Sequence, residues 1–212
     1  MVFKERKNII FWYYTVRENY PNYLYCFSKL EELGYGVKSI TSDKHGSLVS
    51  TVKTKYPNIP HQYCLVHLQR RCQELLTKHP ETEAGTKLLE MVKFLNRIKI
   101  HEEKQVFLNW FWRFGGEYED LIKHRTYNSD PTSKKKWWYT HRKLRLAFNT
   151  VKSSLNNIFF YLEDSSIPKD TNGLEAEFTH LKGKLNMHRG ISKQRRENFV
   201  AWYWYLKSLK NR

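Results

Sequence analysis

Asp43 is the first residue whose type and position could support chemistry. It lies in SDKHGS (residues 42–47), directly after a strand predicted over residues 37–41 and before a helix predicted to reach Lys55. Sites in α/β proteins are built at the carboxyl ends of strands, so the Asp43 carboxylate could bind a metal ion or a substrate. Aspartate is also a favoured helix N-cap, and capping is the simpler explanation for this residue taken alone.

Glu175 is the second such residue, in TNGLE at residues 171–175. If Asn172 is the N-cap, Glu175 completes a capping box three residues later, which is a purely structural role. The helix carries an apolar stripe of Leu174, Phe178, Leu181 and Leu185. Glu175 lies about 100° from Leu174, at the margin of that stripe, where a carboxylate could face a sheet edge. Glu177 borders the other margin and is the weaker candidate.

Basic residues follow Glu175 and form a first candidate surface for phosphates. Lys182 shares a helical face with Glu175, so a phosphate approaching the carboxylate would meet a cation. The candidates in this segment are Lys182, Lys184, His188, Arg189, Arg195 and Arg196.

A second basic cluster is interleaved with the aromatic residues Trp137, Trp138 and Tyr139. Cations next to aromatic rings suit phosphate contacts combined with stacking on bases or sugars. In the alternative, the aromatic residues belong to the core and the cations only solvate the surface. The candidates for phosphate or base contact here are Lys135, Lys136, His141, Arg142 and Arg145.

Cys64 and His67 form a CxxH pair, with His61 and Cys72 nearby. A closed zinc site needs four ligands, commonly from paired CxxC or HxxxH elements, which this segment does not contain. We therefore consider zinc unlikely here and favour a buried cysteine and a hydrogen-bonded histidine that link a strand to a helix.

The composition favours a folded protein with a polyanionic partner. The 212 residues carry 37 Lys and Arg against 21 Asp and Glu, a net charge of +16. Such an excess favours nucleic acid, because each neutralised phosphate releases counterions. Three cysteines and the lack of any apolar run of about 18 residues indicate a reducing, intracellular setting with no membrane partner.

The first part of the chain alternates between strand and helix signals, which predicts a layered α/β sheet. Strands are predicted over residues 8–16, 37–41 and 61–64. Helices are predicted over residues 20–33, from the end of the turn at residues 42–47 to about residue 55, and over residues 66–77. Helical periodicity then runs over residues 82–119, with Gly115 and Gly116 as an interruption. One long helix is predicted over residues 137–162 and two more over residues 172–186 and 192–209, so the chain is mostly helical by residue count. The predicted buried positions of residues 82–119 are Leu88, Leu89, Val92, Leu95 and Ile98, followed by Val106, Trp110 and Phe114.

Four motifs together resemble the mutator-type bacterial insertion-sequence transposases of the DDE class. They are SDKHGS (42–47), CLVH (64–67), WWYTHRKLR (137–145) and TNGLEAEFTHLKGKLNMHRGISKQRR (171–196). The resemblance implies a ribonuclease H-like α/β fold with a mixed sheet and a large all-helical insertion. It divides the chain into a first part of the core (1–81), the insertion (82–164) and a last part of the core (165–212).

The resemblance also implies the site and its chemistry. Asp43 and Glu175 match two of three metal-binding carboxylates, whereas Cys64 and His67 match a CxxH signature that accompanies the core. In this family two divalent ions, Mg²⁺ or Mn²⁺, would lie roughly 4 Å apart and promote in-line attack on phosphate. The implied partner is DNA at transposon ends and target, bound by a homo-oligomer in the bacterial cytoplasm at the nucleoid.

One position departs from the family pattern. Family members carry a first aspartate on the strand preceding the one predicted here from residue 8, and Glu5 has no predicted strand of its own. We therefore expect a chain truncated at its N-terminus, with the first strand of the sheet missing and little cleavage activity. An upstream-encoded segment could supply the missing part. The alternative is a non-catalytic DNA-binding or interaction protein derived from a transposase.

Overall fold

The computed structural model describes residues 1–5, 8–130, 132–188 and 190–210, with the side chain of the last residue excepted. In chain order the described residues form β1 (Val2–Glu5), β2 (Asn8–Trp12), α1 (Tyr20–Glu32), β3 (Ile40–Ser42), α2 (Gly46–Lys55), β4 (His61–Tyr63), α3 (Leu65–Leu76), α4 (Glu83–Leu95), α5 (His101–Glu117), α6 (Glu119–Lys123), β5 (Arg125–Tyr127), β6 (Trp137–Tyr139), α7 (Arg142–Lys152), α8 (Phe160–Glu163), α9 (Asn172–Met187) and α10 (Lys193–Lys210). The predicted helical majority is confirmed.

The described strands pair in three separate two-stranded sheets and not in the single mixed sheet that was predicted. β1 and β2 are antiparallel, β3 and β4 are parallel, and β5 and β6 are antiparallel. The chain folds into two compact units. We call residues 1–38, 45–59 and 171–212 the terminal unit, and residues 39–44 and 60–170 the central unit.

The terminal unit contains the β1–β2 hairpin and helices α1, α2, α9 and α10. Its core joins residues far apart in the chain: Ile9, Leu181, Tyr203 and Trp204 are buried, and Phe178 and Leu185 pack against them. The apolar stripe predicted on α9 is therefore largely confirmed. The prediction that Glu5 has no strand of its own was wrong, because Glu5 ends β1 and pairs with Asn8. A strand of four residues is too short for its alternation to be recognised in the sequence, and β1 is defined by its pairing with β2.

Helix α1 shows how local sequence sets an element of the terminal unit. Asn19 caps it by accepting a hydrogen bond from the Asn22 N–H at 3.0 Å, and Pro21 lies in its first turn. The helix ends before Gly34, whose φ of 85° is a conformation that glycine adopts at little cost. Its predicted bounds are confirmed.

The central unit is built around helices α3, α4, α5 and α7. All five predicted core residues of α4 and the following turn are buried, with Leu88 and Ile98 at 0% exposure. The predicted face of α5 is wrong in two of three positions, because Val106 and Trp110 are 59% and 42% exposed. The buried face of α5 consists of Phe107, Phe111 and Phe114. Helix α5 carries apolar residues on all of its faces, so helical periodicity alone does not predict which face is buried.

Two other predictions for the central unit are also wrong. Gly115 and Gly116 do not interrupt α5, which continues to Glu117. The long helix predicted over residues 137–162 divides into β6, α7, a 3-10 turn (Leu155–Asn157) and α8, so the central segment is not all-helical. None of the described helices combines the length and apolar composition needed to cross a bilayer.

Candidate functional sites in the two units

Asp43 follows β3 in the central unit, at the carboxyl end of the parallel β3–β4 pair. Ser42 pairs with Tyr63, and the Cys64 N–H donates to the Ser42 carbonyl at 2.7 Å. Asp43 and Cys64 therefore both lie at the carboxyl end of the β3–β4 pair. Asp43 is exposed and does not cap α2, which begins at Gly46 with His45 as its N-cap. The capping explanation for Asp43 is therefore wrong.

Hydrogen bonds of neighbouring residues fix the backbone of Asp43. The Ser42 hydroxyl donates to the Asp43 carbonyl at 2.7 Å and lies 2.8 Å from Nε2 of His61. The contact between Ser42 Oγ and His61 Nε2 joins β3 to β4 next to Asp43. On the other side, Lys44 Nζ donates to the Ser153 hydroxyl at 2.7 Å. An exposed carboxylate is thereby presented from an anchored backbone.

The CxxH pair lies at the start of α3, where Cys64 is the N-cap and His67 the third residue. Cys64 is 1% exposed and His67 is half-buried. Both other potential zinc ligands have further contacts. His61 bonds to Ser42, and Cys72 Sγ lies 3.9 Å from the Ala147 carbonyl of α7. Burial raises the pKa of the Cys72 thiol to about 12.

Glu175 is a half-buried residue in the first turns of α9, in the terminal unit. The predicted capping box with Asn172 as N-cap is wrong, because Thr171 is the N-cap and its side chain makes no capping bond. Glu175 is thus the fourth helical residue, one position too late for a capping box. The Thr171 hydroxyl lies 3.5 Å from its Oε1. The capping-box explanation for Glu175 is therefore wrong.

Glu177 links α9 to α10. Its carboxylate forms an ion pair with Lys207 at 2.8 Å and accepts from the Tyr203 hydroxyl at 3.3 Å. The hydrogen bond from Lys207 holds the pKa of the Glu177 carboxyl below its usual value. This role accounts for Glu177 without chemistry, so Glu175 remains the candidate on this helix.

The basic residues of α9 and α10 lie mostly on the surface. Lys182, His188, Arg195 and Arg196 are exposed and Lys184 is half-buried. Arg189 lies outside the described residues. Lys182 and Glu175 belong to one uninterrupted helix, so the shared face predicted for them holds.

The second basic cluster lies on the β5–β6 hairpin and α7 of the central unit. Arg125 pairs with Tyr139, and Tyr127 pairs with Trp137. Because side chains alternate along a strand, these four residues share one side of the hairpin. We call them, together with Arg145 of α7, the hairpin face.

Cations and rings stack closely on the hairpin face. The Arg125 guanidinium carbon lies 4.1 Å from the centroid of Trp137, and that of Arg145 lies 4.0 Å from the centroid of Tyr139. The two rings meet edge to face at 5.2 Å. Trp137 is 37% exposed, so the alternative of a core tryptophan is wrong.

The remaining residues of this cluster surround the hairpin face. Lys135 Nζ lies 5.4 Å from the centroid of Trp138, on the opposite side of the hairpin. Lys136 and Arg142 are exposed, and His141 is half-buried with its ring 6.2 Å from that of His124.

Sequence reasoning missed Arg125 and Tyr127. Their signal was weak but present: the three residues RTY and the three residues WWY flank a loop rich in Ser, Asp and Lys, as the strands of a hairpin do. The loop confirms this, since Asp130 Oδ1 accepts from the Thr132 N–H at 2.8 Å and Asn128 Oδ1 from the Asp130 N–H at 3.0 Å. Such side-chain bonds stabilise turns.

Comparison with known proteins identifies the family. The model described as "Transposase, Mutator family" matches residues 4–130, more than half of the chain. The chain belongs to the Mutator family of transposases. No curated protein and no solved structure gives a significant match.

The Mutator family match spans part of the candidate residues. It contains Asp43, Cys64 and His67 of the central unit, together with β5. Glu175 and β6 lie beyond residue 130, so their assignment rests on the motifs of the sequence. Membership in a transposase family implies DNA as the partner, in agreement with the net charge of +16.

Proposed function

We propose that the chain acts in DNA transposition by DDE-type phosphoryl transfer at transposon ends. The observation that carries this proposal is the Mutator family match over residues 4–130, which includes Asp43 on its anchored backbone. The resemblance adds the finer features: a ribonuclease H-like core with an insertion, and a homo-oligomer acting on paired DNA ends in the bacterial cytoplasm.

Asp43 and Glu175 are the proposed metal-binding carboxylates, each considered within its own unit. Carboxylate oxygen is the ligand that Mg²⁺ prefers and that Mn²⁺ also accepts, so both residues fit the implied ions. When bound, divalent ions would activate the attacking oxygen and stabilise the leaving oxygen. Asp43 is exposed to solvent, as a ligand that must receive an ion and a phosphate requires.

Metal binding tests these assignments directly. We expect calorimetric titration of the purified chain with Mn²⁺ to show binding. Asp43→Asn and Glu175→Gln should each weaken Mn²⁺ binding by about 10-fold or more, because each variant removes one charged ligand. Asp120→Asn, an exposed carboxylate of α6, is the matched control and should leave binding unchanged. Equal Mn²⁺ affinity in all four proteins would contradict the assignment.

Strand cleavage tests the reaction. Because the motifs match only two of the family's three carboxylates, we expect the isolated chain to nick supercoiled DNA weakly at most. Robust Mg²⁺-dependent nicking that Glu175→Gln abolishes would overturn this expectation while supporting the family chemistry.

A second candidate function is DNA binding without catalysis. The observation that favours it is the hairpin face, whose contacts involve neither Asp43 nor Glu175. Under this function, DNA binding would not require Mg²⁺, which would only weaken it by competing for phosphates, and the chain would bind no Mn²⁺. The same titration therefore separates the two functions.

A further inference from the structure

We propose that the hairpin face binds an unpaired DNA strand by stacking its bases, in preference to an intact duplex. The inference rests on the proposed DNA-binding function and specifies the form of DNA that this surface takes.

The hairpin face alternates planar groups of two kinds. Along the surface, the Tyr127 and Trp137 rings are followed by the Arg125 guanidinium, the Tyr139 ring and the Arg145 guanidinium. The Arg125 guanidinium also lies 5.7 Å from the Tyr139 centroid. Trp137, Arg125, Tyr139 and Arg145 are each in contact with a neighbouring plane, so this part of the face is ordered before any ligand arrives and loses little conformational entropy on binding.

The same residues remain accessible. Tyr127 is 68% exposed and Trp137 is 37% exposed, and Arg125 is exposed as well. Exposed aromatic rings paired with cations bind nucleic-acid bases through their π faces whatever the base sequence. The protein itself covers these rings only in part, which leaves ring surface for a base.

The surface continues past Arg145 into an open cleft of about 390 Å³ between α5, α6 and α7. Trp112 and Lys152 line this cleft with Arg145, and Lys152 Nζ lies 5.6 Å from the Trp112 centroid. Lys123 also lines the cleft and is ion-paired there with Glu119. The pairing of cation with ring is thus repeated within the same unit. A strand that leaves the hairpin face along α7 meets the same chemistry again.

The pattern favours an unpaired strand over a duplex. In a duplex the base faces are stacked on one another, and a protein surface meets mainly phosphates and groove edges. Cations alone suffice for that contact, and the stacked rings of the hairpin face would gain nothing. In an unpaired strand the base faces are free, so rings and guanidinium planes can both stack on them.

The experiment compares two DNA forms by fluorescence anisotropy at fixed salt. The probes are an end-labelled oligothymidylate of ~20 nucleotides, which covers one binding site of this kind, and a labelled duplex of the same length. We expect Trp137→Ala to lower the affinity for the oligothymidylate by ~10-fold and the affinity for the duplex by less than about 2-fold.

Two further variants separate stacking from charge and from general effects. Arg125→Lys keeps the charge but removes the plane, so we expect it to weaken oligothymidylate binding several-fold and spare duplex binding. Trp110→Ala removes a tryptophan of α5 that is 42% exposed and lies outside the hairpin face, and should change neither affinity. If Trp137→Ala does not fold, as judged by circular dichroism, Arg125→Lys decides the test.

Equal losses for both DNA forms, or no loss in Trp137→Ala and Arg125→Lys, would overturn the inference and leave a phosphate-binding surface. That result would leave the proposed DNA-binding function intact, because the chain would still bind duplex DNA. Failure to bind either DNA form would instead overturn the proposed DNA-binding function itself.

Discussion

Asp43 illustrates how single residues prepare a site in this protein. Its side chain is exposed, whereas His61 and Ser42 beside it are 5% and 9% exposed and hydrogen-bonded. A buried polar group without a partner costs about 1–3 kcal/mol, so the His61–Ser42–Asp43 connection resists rearrangement. The position of the Asp43 backbone is therefore determined by β3 and β4, with the Lys44 hydrogen bond to Ser153 as a further anchor.

The cysteines give a prediction at the residue scale. Cys26, Cys64 and Cys72 are at most 1% exposed, and burial raises the pKa of Cys26 to about 11 and that of Cys72 to about 12. Because the thiolate is the reactive form, we expect these two thiols to react with a chromogenic disulfide at about pH 8 far more slowly in the native chain than in denaturant, and faster as the pH rises toward those values. Rapid native reaction of all three would contradict the burial.

At the scale of elements, α5 determines much of the central unit. The Phe111 ring stacks on that of Phe148 with centroids 4.9 Å apart, which joins α5 to α7. Two consecutive glycines near the end of α5 differ sharply in their surroundings. A Cβ on Gly115 would lie 3.0 Å from Cζ of Phe148, whereas a Cβ on Gly116 would meet no atom within 4 Å.

These glycines form a matched pair for a stability test. Alanine favours a helix over glycine by about 0.5–1 kcal/mol, so Gly116→Ala should raise the free energy of unfolding by about 0.5 kcal/mol. Gly115→Ala should not raise the free energy of unfolding, because overpacking against the Phe148 ring typically costs about 1–3 kcal/mol and cancels the gain in helix propensity. Urea unfolding followed by circular dichroism measures both, and equal effects of the two substitutions would contradict the packing described here.

At the scale of the whole molecule, the dominant property is charge. The net charge of +16 is spread over basic residues of both units, including exposed positions such as Lys136 and Arg195. Such a surface attracts any polyanion at long range and is screened by salt.

The corresponding prediction concerns DNA binding at different salt concentrations. If about 6–10 phosphates are contacted, the affinity for duplex DNA should fall by about 10³–10⁵ between 50 mM and 200 mM salt. Anisotropy titrations at four or five salt concentrations give the slope of the logarithmic plot. A flat response would show that the basic clusters do not contact phosphates.

Sequence by itself determined the features that depend on near neighbours. The bounds of α1, α2, α3, α9 and α10 follow within one or two residues from apolar periodicity and turn residues, because hydrogen bonds within a helix join residues four apart. The position of Asp43 after a strand, the buried stripe of α4 and the basic surplus were equally local properties.

Tertiary structure alone decided the features that depend on distant partners. The buried face of α5 is selected by Phe148 on another helix, and the role of Glu177 by Lys207 on α10. Trp137 belongs to a strand because Arg125 and Tyr127 lie across from its segment, a pairing that no window of neighbouring residues contains. The hairpin face could not be read along the chain, because its planes are brought together only when β5, β6 and α7 meet.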